Sequence, residues 1–141
     1  MKTCREDYFK FEIGFYERIL EKSPKFPQAL MALGDLYTKT GRFQEGLEVD
    51  QRLARLYPTN AEIFYNLACS YSLMNEVEKS FACIKRAVAL GYYDFEYLQK
   101  DDDLKNLRCT EEFQRYFDEL WLKQRGQQKR PTESLRIFKD Q

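Results

Sequence analysis

The 141-residue chain contains no histidine. That absence excludes a histidine general base, a Ser–His or Cys–His nucleophile and any histidine-ligated metal site. Net charge is missing too: 23 basic side chains balance 23 acidic ones, so no global field draws the chain to nucleic acid or acidic lipid. No apolar run approaches the ~18 residues of a membrane span, and there is no low-complexity tract. Residues 1–20 lack a continuous apolar core, being interrupted by Glu6, Asp7, Lys10 and Glu12, which is not the pattern of a secretory signal. The four cysteines, Cys4, Cys69, Cys83 and Cys109, form no CxxC pair and no dense framework. They read as free thiols of a reducing compartment, with the cytoplasm as the expected location. No cofactor is expected.

What the chain has is aromatic side chains, 16% of residues with 11 Phe and 10 Tyr, and a period. The stretch from Pro27 to Asn60 is 34 residues long, and its residue types return at that offset on both sides. Phe9 falls on Phe43, Ile13 on Leu47, Phe15 on Val49, Ile19 on Leu53 and Pro24 on Pro58, while Arg18, Arg52 and Arg86 lie one period apart. Within 27–60, Pro27 suits the first turn of a helix, and Leu30, Leu33, Gly34 and Tyr37 share one helical face. Gly41 ends that helix, Phe43, Leu47, Val49, Leu53 and Leu56 build the second, and Pro58 stops it. The copy at 61–94 fits in the same phase but less tightly, with Phe64, Leu67, Ala68, Tyr71, Val77, Ser80, Ile84 and Ala87 in corresponding places. Asn75 replaces the turn glycine, and Thr59 or Asn60 caps the first helix.

These residues resemble the tetratricopeptide repeat family, above all Leu30, Leu33, Gly34, Tyr37, Gly41, Phe43, Gly46 and Pro58. Gly46 stands where the family prefers Ala. The resemblance implies an all-α, right-handed solenoid of antiparallel helix pairs. The reading is one domain over 1–124: a half-repeat at 5–24, full repeats at 27–60 and 61–94, and an irregular cap at 95–124. In the cap a short helix near Phe95–Gln99, a turn at Asp101–Asp103 and a helix from Glu111 to about Lys123 are expected. The last helix places Phe113, Tyr116, Phe117, Leu120 and Trp121 on one face, as a capping element of a repeat array should. Residues 125–141 are expected to form a basic, mobile tail, with Leu135, Ile137 and Phe138 as its apolar cluster.

Family likeness implies a non-enzymatic adaptor whose first helices line a short concave groove for a peptide of a partner protein. By matching positions, the groove would present Gln28, Met31, Asp35, Thr38, Lys39, Glu62, Tyr65, Asn66, Cys69 and Ser72. Some members clamp a chaperone's C-terminal carboxylate. Asn66 matches one clamp position, but Met31 and Asp35 occupy its counterparts, and an acidic Asp35 would repel a carboxylate. A secretion chaperone is a narrower version of the adaptor, with nothing in the sequence specific to it.

A second reading is self-association. The first helix is apolar over most of its circumference, and Tyr8, Phe11, Phe15 and Ile19 would form a face for a second copy. The competing reading has those aromatics fold over the end of the array. Cys69 and Cys83 read as small core residues. The run Asp101–Asp103 with Glu111 and Glu112 lacks the spacing of a calcium loop and reads as a solvated turn and a helix start. The basic KQRGQQKR stretch has no interleaved aromatics, which argues against nucleic acid.

Overall fold

The computed structural model describes the backbone of residues 4–139 and the side chains of residues 4–126. Among them the order is α1 (Cys4–Lys22), α2 (Pro27–Lys39), α3 (Phe43–Leu56), α4 (Ala61–Leu73), α5 (Val77–Ala89), α6 (Phe95–Lys100), a 3₁₀ turn (Asp102–Leu104), α7 (Lys105–Arg108) and α8 (Glu111–Lys139). The described residues contain no strand. Helices α1 to α5 each pack chiefly on their neighbours in sequence, giving the antiparallel pairs α2/α3 and α4/α5 with α1 before them, while the 3₁₀ turn and α7 return onto α4 and α5.

The turns show why the period works. Gly41, Asn75 and Gly91 hold φ of +78°, +59° and +111°, the left-handed region open to glycine and tolerated by asparagine. At each, the next residue's N–H reaches back five positions: Arg42 to Tyr37 O at 2.7 Å, Glu76 to Tyr71 O at 2.9 Å and Tyr92 to Ala87 O at 2.9 Å. These are Schellman closures, and they satisfy carbonyls the helix end would leave bare. The arginines one period apart act alike too. Arg52 donates to Pro24 O at 2.5 Å and Arg86 to Pro58 O at 3.5 Å, each tying a second helix to the loop before the first helix of its own pair. Asn60 supplies the α4 cap, its Oδ1 accepting from Ile63 N at 3.1 Å.

Two apolar clusters fill the solenoid. One joins α1 to the first pair through Ile13, Leu30, Leu33, Tyr37, Leu53 and Ile63, with Phe9, Tyr16 and Leu20 packed against it. The other joins α4 and α5 to the cap through Ala68, Ile84, Leu98, Leu104, Leu107 and Phe113. Phe113, Phe117 and Trp121 stack successively at 6.0 and 5.8 Å, and Phe81 meets Phe113 and Tyr116 edge-on at 6.1 and 5.3 Å. Both are favoured ring geometries.

One expectation of the sequence fails here. The last helix does not stop near Lys123 but continues to Lys139. Amphipathic periodicity ends at Trp121, and the Lys, Gln and Arg that follow are good helix formers. The side chains of Leu135, Ile137 and Phe138 lie outside the described residues.

Candidate functional site: an acidic, tyrosine-rimmed cavity

A concave cavity of about 670 Å³ opens between α2, α3, α4 and the segment from Gly91 to Asp103. Of the groove residues expected from the sequence, Met31, Asp35, Thr38, Glu62, Tyr65, Asn66 and Cys69 line it. Gln28, Lys39 and Ser72 do not. Gln28 is exposed outside the cavity. Lys39 is exposed as well and pairs with Asp35 at 2.9 Å, one turn back on the same helix.

Ser72 is the clearest correction. It is fully buried, its Oγ accepting from Leu107 N at 3.3 Å and its carbonyl from the Asn106 side chain at 2.9 Å. The end of α4 is covered by α7, so this part of the first-helix face is core. Tyr65 and Cys69 do line the cavity, but with 5% and 7% of their surface open they form its floor.

The floor is organised by Asp101, also against expectation. That residue is buried, not part of a solvated turn: Tyr65 Oη donates to its Oδ2 at 2.7 Å, Cys69 Sγ at 3.6 Å, and Asp103 N–H donates to its Oδ1 at 3.0 Å. Arg108 donates to the Asp101 carbonyl and to Leu98 O, so its charge serves the backbone. Burial, together with the nearby Asp101 carboxylate, keeps the Tyr65 hydroxyl and the Cys69 thiol protonated. Cys69, Asp101 and Asp103 bring donor atoms within 4.8 Å of one another. Both Asp101 oxygens already accept hydrogen bonds from protein groups, which ties the trio into one network.

Asp50 on α3 is the residue sequence reading missed. It is 6% exposed, and Ser70 Oγ donates to its Oδ2 at 2.5 Å. Asp50 lines the cavity, and its Oδ1 accepts no hydrogen bond from the described residues. It lies so close to Gly34 that a Cβ there would sit 2.9 Å away. Burial pushes the Asp50 carboxyl up to about 6, against the opposing pull of Ser70. A signal existed: Asp50 stands three residues after Leu47 and three before Leu53, on the buried stripe.

With Asp50, the lining carries six carboxylates, Asp35, Asp50, Glu62, Asp94, Asp101 and Asp103, and no Lys or Arg. Tyr65, Tyr92, Tyr93 and Tyr97 line it as well. Tyr65 and Tyr92 stack at 4.5 Å, and Tyr97 tilts toward Tyr65 at 6.1 Å. Burial raises Tyr92 to about 12, and the charge of Asp101 raises Tyr97. Asp103 is also raised, by burial and then by Asp101 and Asp102.

Outside the cavity, α1 turns Tyr8, Phe11 and Phe15 outward, 61%, 66% and 47% exposed, while Ile19 is half-buried. The described helices include none long and apolar enough to cross a membrane.

Stacked antiparallel helix pairs around a concave face define an α-solenoid repeat protein. Residues 61–90, the copy read above as the looser one, match the model of the tetratricopeptide repeat. Residues 61–90 thus carry a tetratricopeptide repeat. It is 33% identical over 92 residues to a protein of Arabidopsis thaliana named as chloroplastic, a match covering 61% of this chain and 28% of that protein. The chain thus spans little more than a quarter of that relative. The relative's name places it in the chloroplast and lends the cytoplasmic expectation no support. Among solved structures, a crystal structure of MamA superposes with a TM-score of 0.59 at 20% identity, over 75% of this chain and 70% of that one. A MamA fragment from Desulfovibrio magneticus RS-1 gives 0.64 at 18% identity, over 86% and 69%. At such identities the likeness is one of fold.

Proposed function

We propose that this chain is a non-enzymatic interaction module that holds a peptide segment of a partner protein in the cavity between α2, α4 and the Gly91–Asp103 segment. The observation that carries the reading is the cavity itself. Its mouth presents exposed Met31, Asp35, Glu62 and Asn66 from the two first helices, side chains that offer adaptable apolar contact beside polar anchors. At about 670 Å³ it accommodates a short segment and not a folded domain. A photo-crosslinking residue at Met31 or Asn66 should capture a polypeptide, whereas one at Glu48, exposed on α3 outside the cavity, should not. Equal labelling from both places would overturn the reading.

A second reading, favoured by the exposed α1 aromatics, is self-association through Tyr8, Phe11 and Phe15. An apolar face of this kind fits the matching face of a second copy. The two readings use different helices, since no residue of α1 lines the cavity, and do not compete.

A further inference from the structure

We propose that the cavity selects a cationic segment, seating a Lys or Arg side chain of the bound polypeptide between Asp50, the Asp101–Asp103 turn and the tyrosine rim. This rests on the peptide-binding reading above and adds the chemistry of the peptide.

Charge comes first. The whole chain is neutral, with 23 basic and 23 acidic side chains, so six carboxylates without one Lys or Arg in the lining is a local polarity. One of the six, Asp35, is paired with Lys39, while the other five form no salt bridge among the described residues; Arg108 donates to the carbonyls of Leu98 and Asp101.

Burial makes that polarity matter. A carboxylate taken out of water without a counter-charge is costly, and a cation placed beside it recovers part of that cost. Asp50 is more than nine-tenths buried and has Ser70 as its hydrogen-bond donor on Oδ2, while Oδ1 has no hydrogen-bond partner among the described residues. Asp50 lines the cavity together with Gly34, which lies next to Oδ1. Gly34, beside it, contributes no side chain to block the way.

The rim supplies the second element. Tyr97 and Tyr93 are 54% and 79% exposed at the edge, and Tyr92 stacks on Tyr65 behind them. Rings next to carboxylates attract ammonium and guanidinium groups through their faces while covering the aliphatic stem. A C-terminal carboxylate would meet five acidic side chains that no cation pairs, so the pocket selects for one sign and against the other.

The test uses the full chain and fluorescent nonapeptides of lysine, arginine, glutamate and Gly-Ser, followed by anisotropy at moderate salt. The lysine or arginine peptide should bind and the other two should not. Asp50→Asn with Asp103→Asn should weaken binding at least about tenfold. Glu111→Gln with Glu112→Gln, the same charge change at exposed positions off the cavity, should leave it within about twofold. Melting curves confirm that both variants fold. Equal losses in the two pairs would reduce the effect to unspecific attraction and overturn the proposal. So would tight binding of Ca²⁺ or Zn²⁺ alone that blocks the peptides and needs Asp103, which would make this a metal site. Should cationic peptides fail while the crosslinkers at Met31 and Asn66 still capture a polypeptide, the cationic selection falls and peptide binding stands.

Discussion

Tyr65 Oη donates to Asp101 Oδ2 at 2.7 Å, a buried bond between the first helix of the second repeat and the start of the cap. Thirty-six positions apart in sequence, the two residues fix how the irregular end sits on the regular array. Tyr65→Phe keeps the ring stack with Tyr92 and leaves Asp101 with the weak Cys69 thiol and the Asp103 N–H. We expect a loss of about 1–3 kcal/mol, the cost of stranding a buried acceptor. Urea unfolding measures it, and hydrogen exchange should quicken at Asp103 and Leu104 before it does in α3. A variant as stable as the parent would show that the bond holds nothing together.

Asp50 should make stability depend on pH in an unusual direction. Its folded value, about 6, lies above the ordinary 3.8, so the folded state holds the proton more tightly than the unfolded chain. The contribution is complete below pH 4 and disappears as pH rises through 6, where the buried carboxyl must ionise. At neutral pH, Asp50→Asn, which preserves an acceptor for Ser70, should stabilise the protein by up to roughly 3 kcal/mol. Near pH 4 the two proteins should converge. Parallel urea midpoints at pH 4 and pH 8 decide it, and a constant difference between the proteins would refute the assignment. Stability forgone at a cavity is common where a site is kept for binding.

Much of this architecture was legible because it repeats. Gly41 and Asn75 mark the helix ends by their tolerance of positive φ, and both adopt it. Gly34 and Gly46 sit at points of close helix approach; a Cβ at Gly46 would stand 3.3 Å from Thr38 Oγ1. The illegible parts belong to the region without a period. Nothing in the spacing of α4 says that α7 will cover Ser72, or that Asp101 will turn inward onto Tyr65 and Cys69. Tyr92, Tyr97 and Asp94 enter the cavity only because the chain folds back after Gly91. Long-range folding of a non-repeating segment has no local signature.

Two glycines on exposed and buried helix faces should respond oppositely to alanine. In an unobstructed helix the change gains about 1 kcal/mol of helix propensity. Gly14 of α1 has Arg18 Nη1 at 3.8 Å as the nearest obstacle to a Cβ, the tip of a flexible side chain, so Gly14→Ala should stabilise by about that much. At Gly34 the new Cβ meets Asp50 Oδ1 at 2.9 Å and Val49 Cγ1 at 3.7 Å. Asp50 is short and held by Ser70, so it cannot swing away without breaking that bond. Gly34→Ala should therefore lose about 1–3 kcal/mol despite the better propensity. Thermal midpoints moving in the same direction would contradict the packing.

The α1 face makes the last prediction. Phe9, Ile13, Tyr16 and Leu20 point into the first cluster, while the outer side touches it only through the rings of Tyr8 on Phe9 and Phe15 on Tyr16, at 6.5 and 5.2 Å. Tyr8, Phe11 and Phe15 can thus be changed at little cost to the core. Phe11→Glu with Phe15→Glu should leave the melting temperature within a degree or two, as surface substitutions usually do. In a symmetric dimer each copy would lose two rings, and at about 1–2 kcal/mol per covered ring the dissociation constant should rise more than 100-fold. Light scattering across a concentration series reads both halves: the parent chain should gain mass with concentration and the variant should stay monomeric. A parent chain monomeric at the highest concentration would remove self-association as a role for this face, leaving the cavity end untouched, since Met31, Asn66 and the acidic lining lie outside α1.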